Sequence, residues 1–105
     1  MADNSPRNMP AGFQPTKQTT FTLGQSVEGR DLIVQANFDL HTQPAPEGIT
    51  LLLGGVHGDE PATAQLLLRF KMEYLATRRI GQPTIVWPTL NPDGAARGTR
   101  YNARG

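Results

Sequence analysis

The stretch ITLLLGGVHGDE, residues 49–60, constrains the chain more than any other. A nearly unbroken apolar run suits a strand with both faces covered, and so predicts a buried, central position in a sheet. The run ends at Gly54 or Gly55, and ionisable residues follow at once. The next segment, PATAQLLLRFKMEYLATRR, is built of helix formers, with Pro61 suited to a first turn and Asp59 or Glu60 available near its positive end. Ala64, Leu67, Leu68, Met72 and Leu75 recur at three- and four-residue spacing and predict an inward stripe, leaving Arg69, Glu73 and Arg78 on wetter faces. Gly81 is expected to stop the helix near Ile80, and PTIVWPTL reads as a further short strand. Strand, helix and strand in this order predict an α/β layer with parallel neighbours and a right-handed crossover.

On either side of that unit the signals are local. Residues 1–18 mix Pro, Gly, Asn and Ser without a period and read as a loose N-terminal arm, so residues 19–105 carry the fold. TTFTLGQS and LIVQANF flank the turn VEGRD and predict a hairpin. HTQPAPEG interrupts regular structure, and NPDGAARG reads as a turn-rich loop. The expected architecture is thus an α/β fold with a mixed, largely parallel sheet flanked by helices. Four strands with one substantial helix leave one face of such a sheet open, whereas parallel sheets need both faces covered. Another chain, for example in a homo-oligomer, or further parts of a larger domain would have to cover it.

Length and charge remove several function classes. A chain of 105 residues suffices for one domain and not for two of ordinary size. Its net charge of +1 gives no reason to expect nucleic acid or an anionic membrane as partner. Arg69, Lys71, Arg78 and Arg79 are interrupted by Glu73 and carry no interleaved aromatic platform, which fits a solvated helix face. There is no cysteine, so any metal must be held by His, Asp or Glu. No signal peptide pattern and no run of about 20 apolar residues is present, and the default expectation is a cytoplasmic protein.

Ligand sites in open α/β sheets lie beyond the carboxyl ends of the strands, which is where HGDE falls. His57 and Glu60 are three residues apart, and a tight turn or helical step would aim both at one point. An imidazole nitrogen and a carboxylate oxygen both suit Zn²⁺ at about 2.0 Å, although catalytic zinc ordinarily takes three protein ligands and a water. The competing reading is structural: Asp59 caps the helix, Glu60 favours its dipole, and His57 bonds at the sheet edge. Neither GK[ST] nor GxGxxG follows the glycines. Ser26 and Thr63 lack an activating context, and His41 in its Pro-rich connection reads as a surface histidine. NPDGAARGTRYN also emerges at the sheet rim, where Arg100 could polarise a carbonyl or stabilise an oxyanion, or serve as an ordinary surface arginine.

LLLGGVHGDEPAT followed by TLNPDGAARGTRYNARG, with SVEGRDL ahead of both, resembles the zinc carboxypeptidase superfamily, especially its bacterial cytoplasmic branch acting on murein peptides. The resemblance runs from about Thr19 to Gly105 and rests on the order and separation of several motifs. It implies that His57 and Glu60 are the first two zinc ligands and that Arg100 helps polarise the scissile carbonyl. It also implies a small peptide substrate and a general-base glutamate that passes the proton of a zinc-activated water to the leaving amine. Asn102 is expected to order the loop.

Members of that family continue with a VDLNRN-like stretch, a third-ligand histidine and the general-base glutamate. None of these follows NARG here, and neither Arg104 nor His41 lies where it could substitute. The expectation is an N-terminal portion of a metallocarboxypeptidase or amidase, incomplete and inactive by itself. An N-acyl amino acid deacylase of the succinylglutamate desuccinylase or aspartoacylase type shares the first ligand motif and is the alternative enzyme. A metal-free α/β interaction domain is the alternative without catalysis.

Overall fold

The computed structural model describes residues 12–104, so most of the expected arm lies outside the described residues. In the part that is described, Thr16 N–H donates to Asn37 O at 2.8 Å. The expected hairpin is present as β1, Thr19–Gln25, and β2, Asp31–Ala36, antiparallel with a register shift between Thr22 and Gly24. Its turn is closed by Ser26 N–H to Arg30 O at 2.8 Å. β3, Thr50–Leu53, and β4, Thr84–Trp87, pair in parallel with Leu51 opposite Ile85 and Leu53 opposite Trp87. β4 also pairs antiparallel with β2, which gives the order β1-β2-β4-β3.

Two of the three pairings are therefore antiparallel, and the expectation of a largely parallel sheet is corrected. A parallel pair needs a long crossover, and only the helix between β3 and β4 supplies one; the short turn between β1 and β2 imposes the antiparallel arrangement. The expected central position of the ITLLLGG strand is corrected too. β3 is at the sheet edge, with Leu51 and Leu53 about half exposed, and among the described residues no strand pairs with its outer side. An apolar strand reveals that it needs cover, and not whether that cover lies on its left, its right or elsewhere.

The buried apolar side chains are Val34 and Ala36 of β2, Val86 of β4, Phe38 and Leu75. Asn37, fully buried, ties the return segment to β4: its Nδ2 donates to Ile80 O at 3.1 Å and Gln82 O at 2.9 Å, and its Oδ1 accepts from Thr84 N–H at 2.8 Å. A buried amide with every group used costs little, and it fixes where β4 begins.

The helix departs from its expected stripe. α1, Ala62–Phe70, passes into a π-helical turn over Lys71–Leu75, closed by Ala76 N–H to Lys71 O at 2.8 Å. The wider turn shifts the phase of everything after it. Leu75 is fully buried, whereas Met72, within that turn, is 67% exposed; Leu68, ahead of the turn, also faces outward in a helix with no buried residue. Nor does the helix run to Ile80: it ends at Leu75, and Arg78 takes a left-handed φ of 59° ahead of Gly81. NPDGAARG is a short helix, α2, Pro92–Arg97, and not only a loop. Asn91 caps it by accepting from Gly94 N–H at 2.9 Å, Pro92 opens it and Gly98 closes it.

Candidate metal centre

The carboxyl ends of β3 and β4 are stitched together before the polar residues begin. Gly54 N–H donates to Trp87 O at 3.0 Å, Leu90 N–H to Gly54 O at 3.0 Å and Asn91 N–H to Gly55 O at 2.9 Å. Gly55 has φ +62°, a conformation costly for residues with a Cβ, and Thr63 Oγ1 accepts its N–H at 3.0 Å. Gly58 meets a different demand. A Cβ there would lie 2.0 Å from Gly94 C and 2.3 Å from Thr99 O, so only glycine lets the HGDE turn approach the segment after α2. Gly58 N–H donates to Arg100 O at 3.2 Å across that approach.

The turn itself is closed by Glu60 N–H to His57 O at 3.1 Å, which places His57 Nδ1 3.6 Å from Glu60 Oε2. Arg100 Nη1 donates to the other carboxylate oxygen, Oε1, at 3.1 Å. His57, Glu60 and Arg100, the three residues singled out in the sequence, are thus brought together around one carboxylate. All three remain partly open to solvent. The structural alternative for the acids finds no support, since α1 has Pro61 at its cap, no side-chain capping bond and no acid in its first turn.

Two further residues complete the cluster and carried no recognisable signal in the sequence. Tyr101 sets its ring edge-on to His57, with centroids 6.1 Å apart, and lies beneath the Arg100 guanidinium at 5.7 Å. Asn91 does two jobs, capping α2 through Oδ1 and donating Nδ2 to Arg100 O at 3.2 Å. NPDG reads only as a turn in the sequence, and neither the cap nor its link to Arg100 is legible there. The hydrogen bond to Tyr101 raises the Arg100 pKa above its ordinary value, partial burial opposes this, and Glu60 and Asp59 reinforce it, so the guanidinium stays charged. Asn102 Oδ1 accepts from Arg104 N–H at 3.0 Å, which is the loop-ordering role expected of it.

Asp93, expected only as a turn residue, is 1% exposed and clamps the hairpin turn to α2. Ser26 Oγ donates to its Oδ1 at 2.6 Å, Arg30 Nη1 to the same oxygen at 3.1 Å, and Glu28 N–H to Oδ2 at 3.2 Å. Burial pushes its pKa up, but the hydrogen bonds from Ser26, Arg30 and Glu28, with the Arg30 charge, outweigh it and hold the carboxyl below its ordinary value. Ser26 and Thr63, which have no activating context in the sequence, serve here as hydrogen-bonding partners of Asp93 and of Gly55 N–H. His41 packs edge-on against Phe21 at 5.3 Å.

The donor set fits half of a zinc shell. Two ligands at about 2.0–2.1 Å on a tetrahedral ion lie about 3.4 Å apart, close to the observed 3.6 Å. Among the described residues, however, no group of three or more His, Cys, Asp or Glu is placed to hold a metal. An open cleft of about 290 Å³ beside the pair is lined by Val56, Leu90, Asn91, Tyr101 and Asn102.

Comparison with known proteins places the chain in a family. The zinc carboxypeptidase family model matches residues 11–104, and the chain belongs to that family. Carboxypeptidase Z of Rattus norvegicus is 31% identical over 100 residues, covering 79% of this chain and 15% of that protein. Carboxypeptidase E of Caenorhabditis elegans is 35% identical over 94 residues, covering 76% and 19%. The crystal structure of murein-tripeptide amidase MpaA from Escherichia coli O157 superposes with a TM-score of 0.55 at 30% identity, over 100% of this chain and 40% of that one. The chain therefore spans well under half the length of these relatives. Among the described residues no helix is long and apolar enough to cross a membrane.

Proposed function

We propose that residues 19–105 carry the front portion of a zinc-dependent peptide amide hydrolase centre, with His57 and Glu60 as two zinc ligands and Arg100 as the group that meets the substrate carbonyl. The observation that carries this is the HGDE turn, which aims His57 Nδ1 and Glu60 Oε2 at a common point while Arg100 holds the second carboxylate oxygen. Zinc bound there would supply Lewis-acid polarisation and a water of lowered pKa. The chain's own residues do the rest. His57 offers Nδ1 and is braced at its edge by Tyr101; Glu60 supplies negative charge on a turn fixed by its own backbone. Arg100 presents a permanent positive charge at the rim, where an oxyanion would develop. The adjacent cleft has room for part of a small peptide, and the likeness to a murein-tripeptide amidase supports murein peptides as substrates.

Among the described residues no third His, Cys, Asp or Glu joins the pair, and these 105 residues alone are expected to bind zinc weakly and not to turn over. Purified chain is tested for zinc-dependent thermal stabilisation and for hydrolysis of a murein tripeptide. Stabilisation that disappears in His57→Ala and Glu60→Ala, without turnover, is the expected result. Robust hydrolysis by the monomer would refute incompleteness, and a zinc response unchanged in both variants would refute the ligands.

A second reading is favoured by the apolar surface at the β3 edge, on α1 and on the π-helical turn, where Leu51, Leu53, Leu66, Leu68 and Met72 are exposed. Such a surface fits an interaction domain or homo-oligomer that covers it. Concentration-dependent assembly without any zinc response is its signature.

A further inference from the structure

We infer that the cleft between β2, α1 and the loop from β4 to α2 is a binding site for a small zwitterion with an apolar body, the chemistry of a free aliphatic amino acid. The cleft measures about 310 Å³ and shares no lining residue with the one beside His57, so nothing in it depends on zinc.

Periodicity builds its walls. Side chains two residues apart face the same side of a strand, so Asp31, Ile33 and Gln35 of β2 line the cleft together. Leu68 of α1 and Lys71 of the π-helical turn, three residues apart, line it from the helix. The segment from Pro88 to Pro92 divides the two clefts, giving Pro88, Thr89 and Pro92 to this one and Leu90 and Asn91 to the other.

Three polar groups lining this cleft lack the partners that their burial or charge calls for. Gln35 is 6% exposed, and its Oε1 meets no donor among the described residues. A buried acceptor without a donor bears its full desolvation cost, which a donor arriving from outside would offset. Lys71, half-buried, makes no ion pair among the described residues, with Asp31 or with any other acid; Glu73 is engaged by Arg69 at 3.4 Å. Asp31 Oδ1 accepts from Gln25 Nε2 at 3.3 Å, and its other oxygen is unengaged among the described residues. Beside these groups, Ile33 and Leu68 stay 38% and 40% exposed. One ligand chemistry answers all of them. An ammonium would donate to Gln35 Oε1 and to Asp31, a carboxylate would meet Lys71, and an aliphatic side chain would cover Ile33 and Leu68. The volume stands at the small end for ligand clefts, which suits a single amino acid better than a peptide.

L-Leucine titrated into the purified chain in metal-free buffer, followed by ¹H–¹⁵N correlation spectra, tests the site. Saturable shifts are expected at residues 31–35, 68–71 and 88–92. Binding should weaken roughly tenfold in Lys71→Met and in Gln35→Leu, since each removes one charge-assisted contact. 4-Methylpentanoate, which lacks the ammonium, and isopentylamine, which lacks the carboxylate, should bind at least as weakly as leucine does to those variants. Gln35→Leu should also melt no lower than wild type, because an apolar side chain of similar size removes the unpartnered acceptor. If that variant fails to fold, Lys71→Met and the two analogues decide the matter by themselves. The inference is overturned by the absence of saturable shifts with leucine, by shifts centred on His57 and Tyr101 instead, by unchanged affinity in Lys71→Met, or by 4-methylpentanoate binding as tightly as leucine. Each of these results leaves the zinc-ligand reading untouched, since no metal is present in the titration.

Discussion

Replacing Gly58 by alanine tests whether the site depends on the close approach of two loops. The new Cβ would stand 2.0 Å from Gly94 C, 2.3 Å from Thr99 O and 2.4 Å from Ala95 N. All three are backbone atoms, so no side chain can rotate away and a loop must move. Overpacking ordinarily costs about 1–3 kcal/mol, and a clash with backbone on all sides belongs at the upper end, about 3 kcal/mol. At about 4 °C per kcal/mol for a domain of this size, the melting temperature should fall by about 12 °C. Gly24→Ala is the control, because a Cβ there meets nothing within 4 Å. That variant should match wild type or gain up to about 1 kcal/mol, as glycine is unfavourable within a strand. Thermal unfolding followed by circular dichroism measures both. The same displacement should carry Arg100 away from Glu60, so the zinc response should change in Gly58→Ala alone. A Gly58→Ala protein melting within about 1 °C of wild type would refute the reasoning, since loops able to absorb such a clash freely could not be what positions Arg100.

Two other perturbations follow from the packing. Leu75→Ala empties a fully buried site and should cost about 2–5 kcal/mol in chemical denaturation. Met72→Ala, three residues earlier and 67% exposed, should stay within about 0.5 kcal/mol; equal losses at the two positions would contradict the phase shift at the π-helical turn. Asp93 titrates below its ordinary value, so the unfolded chain takes up its proton first. Its contribution to stability is full above the ordinary carboxylate range near about pH 4 and is lost as pH falls through the lower folded value. Asp93→Asn should be less stable at neutral pH and should lack that portion of the acid-side decline; parallel stability–pH curves for the two proteins would contradict the clamp.

How much could be read in advance depended on whether the controlling interaction was local. The β1–β2 hairpin, the β3–α1–β4 unit and the position of HGDE at a strand end follow from turn residues and periodicity, both carried by neighbours in sequence. The third pairing did not follow, because it depends on β2 meeting β4 across half the chain. The apolar run 51–53 announced a surface in need of cover, but edge and centre share the same composition. The stripe failed at Met72, inside a wider helical turn that leaves the hydrophobic spacing unmarked, and at Leu68, ahead of that turn in a helix with no buried residue. At the site, the meeting of His57 and Glu60 was legible from spacing, and Arg100 from the resemblance of its motif. The Asp93 clamp was not, since its side-chain partners Ser26 and Arg30 lie 67 and 63 residues away and an acid in NPDG looks like any turn residue. Tyr101 was missed for the same reason: an aromatic after an arginine says nothing until the loop brings it beside His57.

The chain has only two histidines, which makes the central claim open to one direct measurement. Long-range ¹H–¹⁵N spectra report the two imidazoles separately during a zinc titration, and His41, packed on Phe21, serves as the internal reference. The account predicts that the His57 Nδ1 resonance moves on zinc addition, that His41 stays where it is, and that Glu60→Ala suppresses the movement. Equal shifts of both rings, or a His57 ring indifferent to zinc, would contradict it.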